Sequence, residues 1–209
     1  MDERYESKHH ELEPTNWWFL ARRDMILRLL SSSGKDSKIL DVGCAGGSFL
    51  RALRSKGFAF VTGIDLSRRA VELCKKRGLR DVHLMDAQDM EIPSDTFDIV
   101  VASDVLEHIS YDRSALKEIY RVLKPGGRLI IFVPAFAFLW SAHDVVLRHH
   151  RRYSKSGLVH DLKATGFGIS ALSYWNTLLF FPSALLRISQ RILGRKGAGD
   201  QLYALPAPL

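Results

Sequence analysis

The chain has 209 residues, 46% of them hydrophobic and 25% charged, values that fit one globular domain and exclude wholesale disorder. Its net charge of +7 is uneven, with +1 over residues 1–140 and +6 over residues 141–209. That basic last third either draws an anionic ligand or is simply a solvated surface.

Cys44 and Cys74 form neither a metal-binding spacing nor a disulfide framework, which suits a reducing compartment. Met1-Asp2-Glu3-Arg4 carries early charge and lacks the apolar block of a secretory signal. A cytoplasmic setting is therefore expected.

Short apolar runs alternate with amphipathic stretches, the pattern of a sheet covered by crossover helices. Trp17 to Leu30 reads as a first helix. Lys38 to Val42 is a strand whose glycine turn runs into a helix from Ser48 to Lys56. Ala59 to Ile64 is a second strand, and Ser67 caps a helix running to Arg77. Val82 to Leu84 is a third strand. Phe97 to Ala102 is a fourth, too continuously apolar for a half-exposed strand, as in a buried parallel sheet. Tyr111 to Leu123 is an amphipathic helix, ended by Lys124-Pro125-Gly126-Gly127, and Arg128 to Val133 is a fifth strand.

Beyond these, residues 134–153 form an insertion rich in aromatics and histidines. A helix follows from Ser154 to Thr165, then a sixth strand from Phe167 to Tyr174 and a last helix from Leu178 to Leu193. Ala164 to Leu186 carries no charge and is long enough to span a bilayer. Its glycines, serines, Asn176 and Pro182 favour a buried strand followed by a helix. After Leu193 no run suits a strand, so a seventh strand is expected to be missing and strand five to keep an open edge.

The chemistry concentrates at carboxyl ends of strands, where α/β sheets bind ligands. Ile39-Leu40-Asp41-Val42-Gly43-Cys44-Ala45-Gly46-Gly47 is a strand and a small-residue turn, which lets a ligand approach the backbone. Several kinds of nucleotide-binding protein share such a turn, and it also serves with no ligand at all. Asp65 ends the second strand, placed to accept both ribose hydroxyls of an adenosine or to sit at a helix N-terminus beside Ser67. Asp41 is a poor neighbour for a pyrophosphate but tolerable beside an ammonium or sulfonium. The Gly43-x-Ala45-x-Gly47 spacing also departs from that of dinucleotide binders.

Six segments in order, ILDVGCAGG, GIDLS, MDAQDM, DTFDIVVASDVLEHI, ALKEIYRVLKPGGRLIIFVPA and HHRRYS, resemble class I S-adenosylmethionine-dependent methyltransferases of the type 11 and type 23 groups. The resemblance covers about residues 15 to 180. It implies an α/β fold, a three-layer αβα sandwich with a Rossmann-like, mostly parallel sheet. Residues 1–34 would form an N-terminal lid helix region and 35–193 the cofactor-binding domain, leaving 194–209 as an irregular tail.

It further implies that Asp41, Gly43, Cys44, Ala45 and Gly47 line the methionine part of S-adenosyl-L-methionine. Asp65 and Leu66 would stand at the ribose, Asp86 and Ala87 at the adenine, and Ser103 and His108 near the reacting centre. Ala45 stands where the family has glycine, a methyl tolerable if its φ is negative. Trp18 and Arg22 resemble the lid helix, where Arg22 would pair with the cofactor carboxylate, although such a helix also packs its aromatics on the core.

In the insertion, His143 and Asp144 are candidates for a general base pair. The histidines are completed by no Cys or Glu in a familiar spacing, so no metal is expected. A small-molecule acceptor, anionic or lipid-linked, is the expected partner, with residues 178–193 a candidate for peripheral membrane contact. With no Asn-Pro-Pro-Tyr-like motif or appended RNA-binding module, no nucleic-acid partner is expected. A non-catalytic S-adenosylmethionine-binding protein and a nicotinamide-dependent oxidoreductase stand as rival readings.

Overall fold

The computed structural model describes residues 3–175 and 177–192. In chain order the elements are α1 (Glu3–Leu12), α2 (Trp17–Leu29), β1 (Lys38–Val42), α3 (Ser48–Ser55), β2 (Phe60–Asp65), α4 (Arg68–Lys76), β3 (Val82–Leu84), β4 (Phe97–Ser103), α5 (Asp112–Val122), β5 (Leu123–Phe132), α6 (Ala142–Val146), α7 (Lys155–Ala164) and α8 (Thr177–Ile192). Helix starts follow local chemistry. The Asn16 side chain accepts from Trp18 N at 2.9 Å, and the Ser67 and Ser154 hydroxyls accept from Ala70 N and Gly157 N.

The five strands pair in the order β3-β2-β1-β4-β5, and every pairing is parallel. Two-residue alternation splits the buried side chains between the two faces of the sheet. Leu40, Val42, Val100 and Ala102 meet Leu116 and Ile119 of α5 and Leu158 and Leu162 of α7. Ile39, Ile99 and Val101 meet Ile26 of α2, Leu50 and Leu53 of α3, and Val71 and Cys74 of α4. Helices thus cover both faces, giving three layers. The strand order reverses between β1 and β4, so a crevice opens beyond their carboxyl ends.

Three expectations are corrected. Residues 3–12 form a helix, although Glu3 to Leu12 has few apolar positions to reveal one. The Leu123-Lys124-Pro125-Gly126-Gly127 segment already belongs to β5, joined through a register shift opposite Phe97 and Ile99. Phe167 to Tyr174 is not a strand: Phe167, Ile169 and Leu172 pack on the core while Gly168 and Ser170 face out, with no ladder formed. No helix among the described residues is long and apolar enough to cross a membrane, and α8, Thr177–Ile192, stands where the last helix was expected.

Among the described residues β5 pairs only with β4. The expected absence of a seventh strand, Leu193 and the tail 194–209 fall outside the described residues.

Candidate functional site

One continuous cleft runs over the carboxyl ends of β1, β2, β4 and β5. Asp41, Gly43, Cys44, Ala45, Asp65, Leu66, Asp86, Ala87, Ser103, His108, His143, Trp18 and Arg22 all line it, while Gly47 sits just behind the turn.

The turn after β1 is held in left-handed backbone, with φ of 74° at Gly43, 46° at Ala45 and 76° at Gly47. Glycine is required where the walls are close. A Cβ on Gly43 would stand 2.7 Å from Val105, and one on Gly47 2.3 Å from Leu79. Ala45 does not avoid positive φ, so its methyl carries the strain of that region.

Asp65 ties the turn to the next helix. Its carboxylate accepts Ala45 N at 2.8 Å through one oxygen and Ser67 N at 2.8 Å through the other. Burial pushes the Asp65 carboxyl up, against the pull of those two amides. Asp41 is 5% exposed, and burial together with the nearby Glu13 and Asp65 holds its carboxyl well above the usual range. Asp86 accepts Gln88 N at 2.9 Å, fixing the loop beyond β3.

The N-terminal helices close over this end. Arg77 donates to the Gly46 carbonyl at 2.6 Å and to the His10 carbonyl at 3.4 Å, and Ser67 donates to Glu6. Arg23 donates to Ser48 Oγ at 2.6 Å. Trp18 packs between Trp17 and Trp175, with ring centroids 5.6 and 5.3 Å away. Arg22 reaches the carboxyl end of β4 and forms an ion pair with Asp104 there.

At the other end the insertion is clamped shut. Tyr153 N donates to the Pro134 carbonyl at 2.8 Å, and Tyr153 Oη donates to Asp112 at 2.7 Å. The expected pairing of Asp144 with His143 is corrected here. Asp144, fully buried, instead accepts from His149 at 3.0 Å, from Arg152 at 2.7 and 3.1 Å, and from Ser141 N at 2.8 Å. Burial alone would raise its carboxyl, but these donors outweigh it and hold the group below the usual range.

His149 in turn meets His108 edge-on, with centroids 4.6 Å apart, and burial lowers His108 to about 4, so it is neutral near pH 7. Glu107 is 1% exposed, and burial lifts its carboxyl to about 8. One ligand atom from each of Glu107, His108 and His149 falls within 4.8 Å of the others. A Glu does therefore join the histidines in space, which linear spacing does not show.

The mouth beside this cluster is aromatic. Phe136 stacks on Tyr174 at 4.9 Å and lies 5.0 Å from Phe180 and 5.6 Å from Phe138.

Sequence reasoning missed Glu13, Glu107 and the role of His149. Glu107 sits inside the DVLEHI segment, and His149 lies five residues after Asp144. Only Glu13, in the link between α1 and α2, had no signal of its own.

The acidic lining suits a cation, and the carboxylate of Asp65 at the end of β2 suits a hydroxyl pair, so the residues fit S-adenosylmethionine. Comparisons agree. The type 11 family described as "Methyltransferase domain" matches residues 40–131. The mitochondrial ubiquinone biosynthesis O-methyltransferase of Schizosaccharomyces pombe is 29% identical over 163 residues, 68% of this chain and 58% of that protein. The ubiquinone biosynthesis O-methyltransferase of Chromobacterium violaceum is 34% identical over 125 residues, 56% of this chain and 50% of that one. The chain thus spans about half the length of these relatives.

Phosphoethanolamine N-methyltransferase 2 of Haemonchus contortus, solved with S-adenosyl-L-methionine, superposes with a TM-score of 0.68 at 22% identity. The match covers 91% of this chain and 47% of that one, and it supports the fold. Residues 40–131 thus match a methyltransferase domain, and sheet order and the turn after β1 are those of the class I S-adenosylmethionine-dependent methyltransferase fold.

Proposed function

We propose that this chain transfers a methyl group from S-adenosylmethionine to a small molecule with an apolar body, delivered through the aromatic mouth. The observation that carries the reading is the placement of the glycine turn, Asp65, Asp86 and Ser103 in one cleft with the Phe136 cluster. The cofactor, when bound, supplies a methyl already activated by its sulfonium. What remains for the protein is alignment of the acceptor and exclusion of water.

Asp41, Gly43, Cys44, Ala45 and Gly47 would hold the methionyl part, Asp65 and Leu66 the ribose, and Asp86 and Ala87 the adenine. Trp18 and Arg22, in the lid region 1–34, would close the site from α2. Neutral His108, backed by His149 and Asp144, would take a proton from the acceptor, with His143 facing the same cleft. The curated relatives are named for O-methylation in ubiquinone biosynthesis, so a hydroxyl on a lipid-linked acceptor is the first class to try. Phe181, Leu185 and Ile188, at 72%, 71% and 47% exposure on one face of α8, would rest that mouth on a bilayer.

Labelled S-adenosylmethionine incubated with polar and lipid metabolite pools tests the reading. Label should appear in the apolar fraction, and Phe136→Ala should raise the acceptor KM with cofactor affinity kept. Label in no fraction, despite cofactor binding, would favour the non-catalytic alternative.

A further inference from the structure

Three carboxylates converge on the glycine turn: Asp41 from β1, Asp65 from β2 and Glu13 from the link between α1 and α2. Glu13 Oε2 is shut off from solvent and accepts no hydrogen bond. It lies against the turn itself, since a Cβ added to Gly46 would stand 2.9 Å from that oxygen. The same point is 2.6 Å from Arg77 Nη1 and 3.3 Å from His10 Nδ1.

The groups facing Glu13 can be taken element by element. Helix α1 brings His10 and α2 brings Arg22 and Arg23. Strand β1 brings Asp41, with Asp65 of β2 behind it. The end of α4 brings Arg77 and Cys74, and the amides of Gly46 and Ser48 lead into α3. The cations are engaged elsewhere: Arg77 with the Gly46 carbonyl, Arg23 with Ser48 Oγ and Arg22 with Asp104. Arg77 and Arg23 act on Glu13 through space, while their hydrogen bonds go to the neutral Gly46 carbonyl and Ser48 Oγ.

We propose that Glu13 is a binding residue for the cofactor, a counter-charge carried by the N-terminal segment to the cationic methionyl end. This rests on the reading of the cleft as an S-adenosylmethionine site. Burial lifts the Glu13 carboxyl to about 7, with Arg77 and the amides of Ser48 and Gly46 pulling it back. An arriving cation favours the ionised form, so binding expels the Glu13 proton below neutrality. The affinity gain from Glu13 is full above about pH 7 and fades as pH falls.

The competing role for Glu13 is structural, as a cap for α3, whose N-cap Gly47 has no side chain to offer. Titration calorimetry of the full chain with S-adenosylmethionine separates the two. Wild type and Glu13→Gln are compared at about pH 6 and pH 8, either side of the Glu13 midpoint, each in two buffers of different ionisation enthalpy. The cofactor's own amine titrates in both proteins, so the difference between the proteins is the readout.

At pH 8 the variant should bind about tenfold more weakly, the loss typical of a charged partner. The gap should narrow at pH 6, and the variant should release fewer protons. Equal affinity and equal proton release at both pH values would overturn the proposal, a lowered Tm alone then marking Glu13 as a cap. Should Glu13→Gln fail to fold, wild type decides: affinity no greater at pH 8 than at pH 6 would also overturn it. Wild type that binds no S-adenosylmethionine at all would instead sink the reading of the cleft.

Discussion

Asp65 accepts the amide of Ala45 at 2.8 Å, so the acid at the end of β2 is a brace for the turn after β1. Its second oxygen accepts Ser67 N, making it also the anchor of the α4 start. The proposed ribose acceptor and the helix-terminal acid can be one side chain, since each carboxylate oxygen has a second lone pair. Asp65→Ala should therefore lose stability as well as affinity. Each bond to a charged acceptor is worth about 1.5–3 kcal/mol, so a fall in urea midpoint accompanies at least a tenfold weaker Kd. A variant of wild-type stability with weakened binding would mean that the brace contributes nothing.

Ala45 invites the opposite substitution. At φ of 46° an L-residue carries roughly 1–2 kcal/mol of left-handed strain. Glycine removes that strain, at an entropic cost of about 0.5–1 kcal/mol. Ala45→Gly should hold or raise Tm, whereas an ordinary Ala→Gly change lowers it. A clear fall in Tm in differential scanning calorimetry would contradict the geometry.

The strands and the turn were legible because each is local. Short runs rich in apolar residues mark β1 and β4, and Gly43 and Gly47 mark backbone that only glycine adopts freely. The misread segment, Phe167 to Tyr174, shows what alternation reports. Phe167 and Ile169 face the core and Gly168 faces out, a two-residue period created by packing, with no strand alongside among the described residues. Helix α1 stayed hidden because it docks through polar contacts, Glu6 to Ser67 and the His10 carbonyl to Arg77, which carry no hydrophobic period. The Asp144 partner was misassigned for a similar reason. His143 is its chain neighbour, but the turn after α6 brings His149 and Arg152 back onto the carboxylate.

That rearranged pairing separates His149 from His143. His149 belongs to a buried network with Asp144, so His149→Ala leaves the Asp144 carboxylate one partner short. Breaking a buried charged contact of this kind costs about 3–5 kcal/mol at most, discounted here because Arg152 remains. His143→Ala should leave the urea midpoint near wild type, with any loss confined to turnover at saturating cofactor. Equal destabilisation by the two substitutions would show that the network does not distinguish them.

Glu107 gives the last prediction, and its sign follows from burial. The side chain is 1% exposed, its Oε2 accepts no hydrogen bond, and its carboxyl is raised to about 8. Arg22 and Arg152 favour the charged form, but burial outweighs them and Asp144 adds repulsion. Unfolded, the group ionises near its ordinary value of 4.5. Between that value and about 8 the folded chain holds a proton that the unfolded chain has lost, so stability falls as pH rises. Glu107→Gln removes this dependence and keeps the shape of the neutral acid. In chelator-treated buffer the two proteins should have similar urea midpoints at about pH 4, below the ordinary value of 4.5, where Glu107 is mostly protonated in both states. At pH 8 the variant should be the more stable by about 2 kcal/mol or more, since each tenfold difference in ionisation constant between the two states is worth about 1.36 kcal/mol. Glu13 bends both curves alike and drops out of the difference. Parallel curves across that range would mean that Glu107 ionises in the folded chain as readily as in the unfolded one.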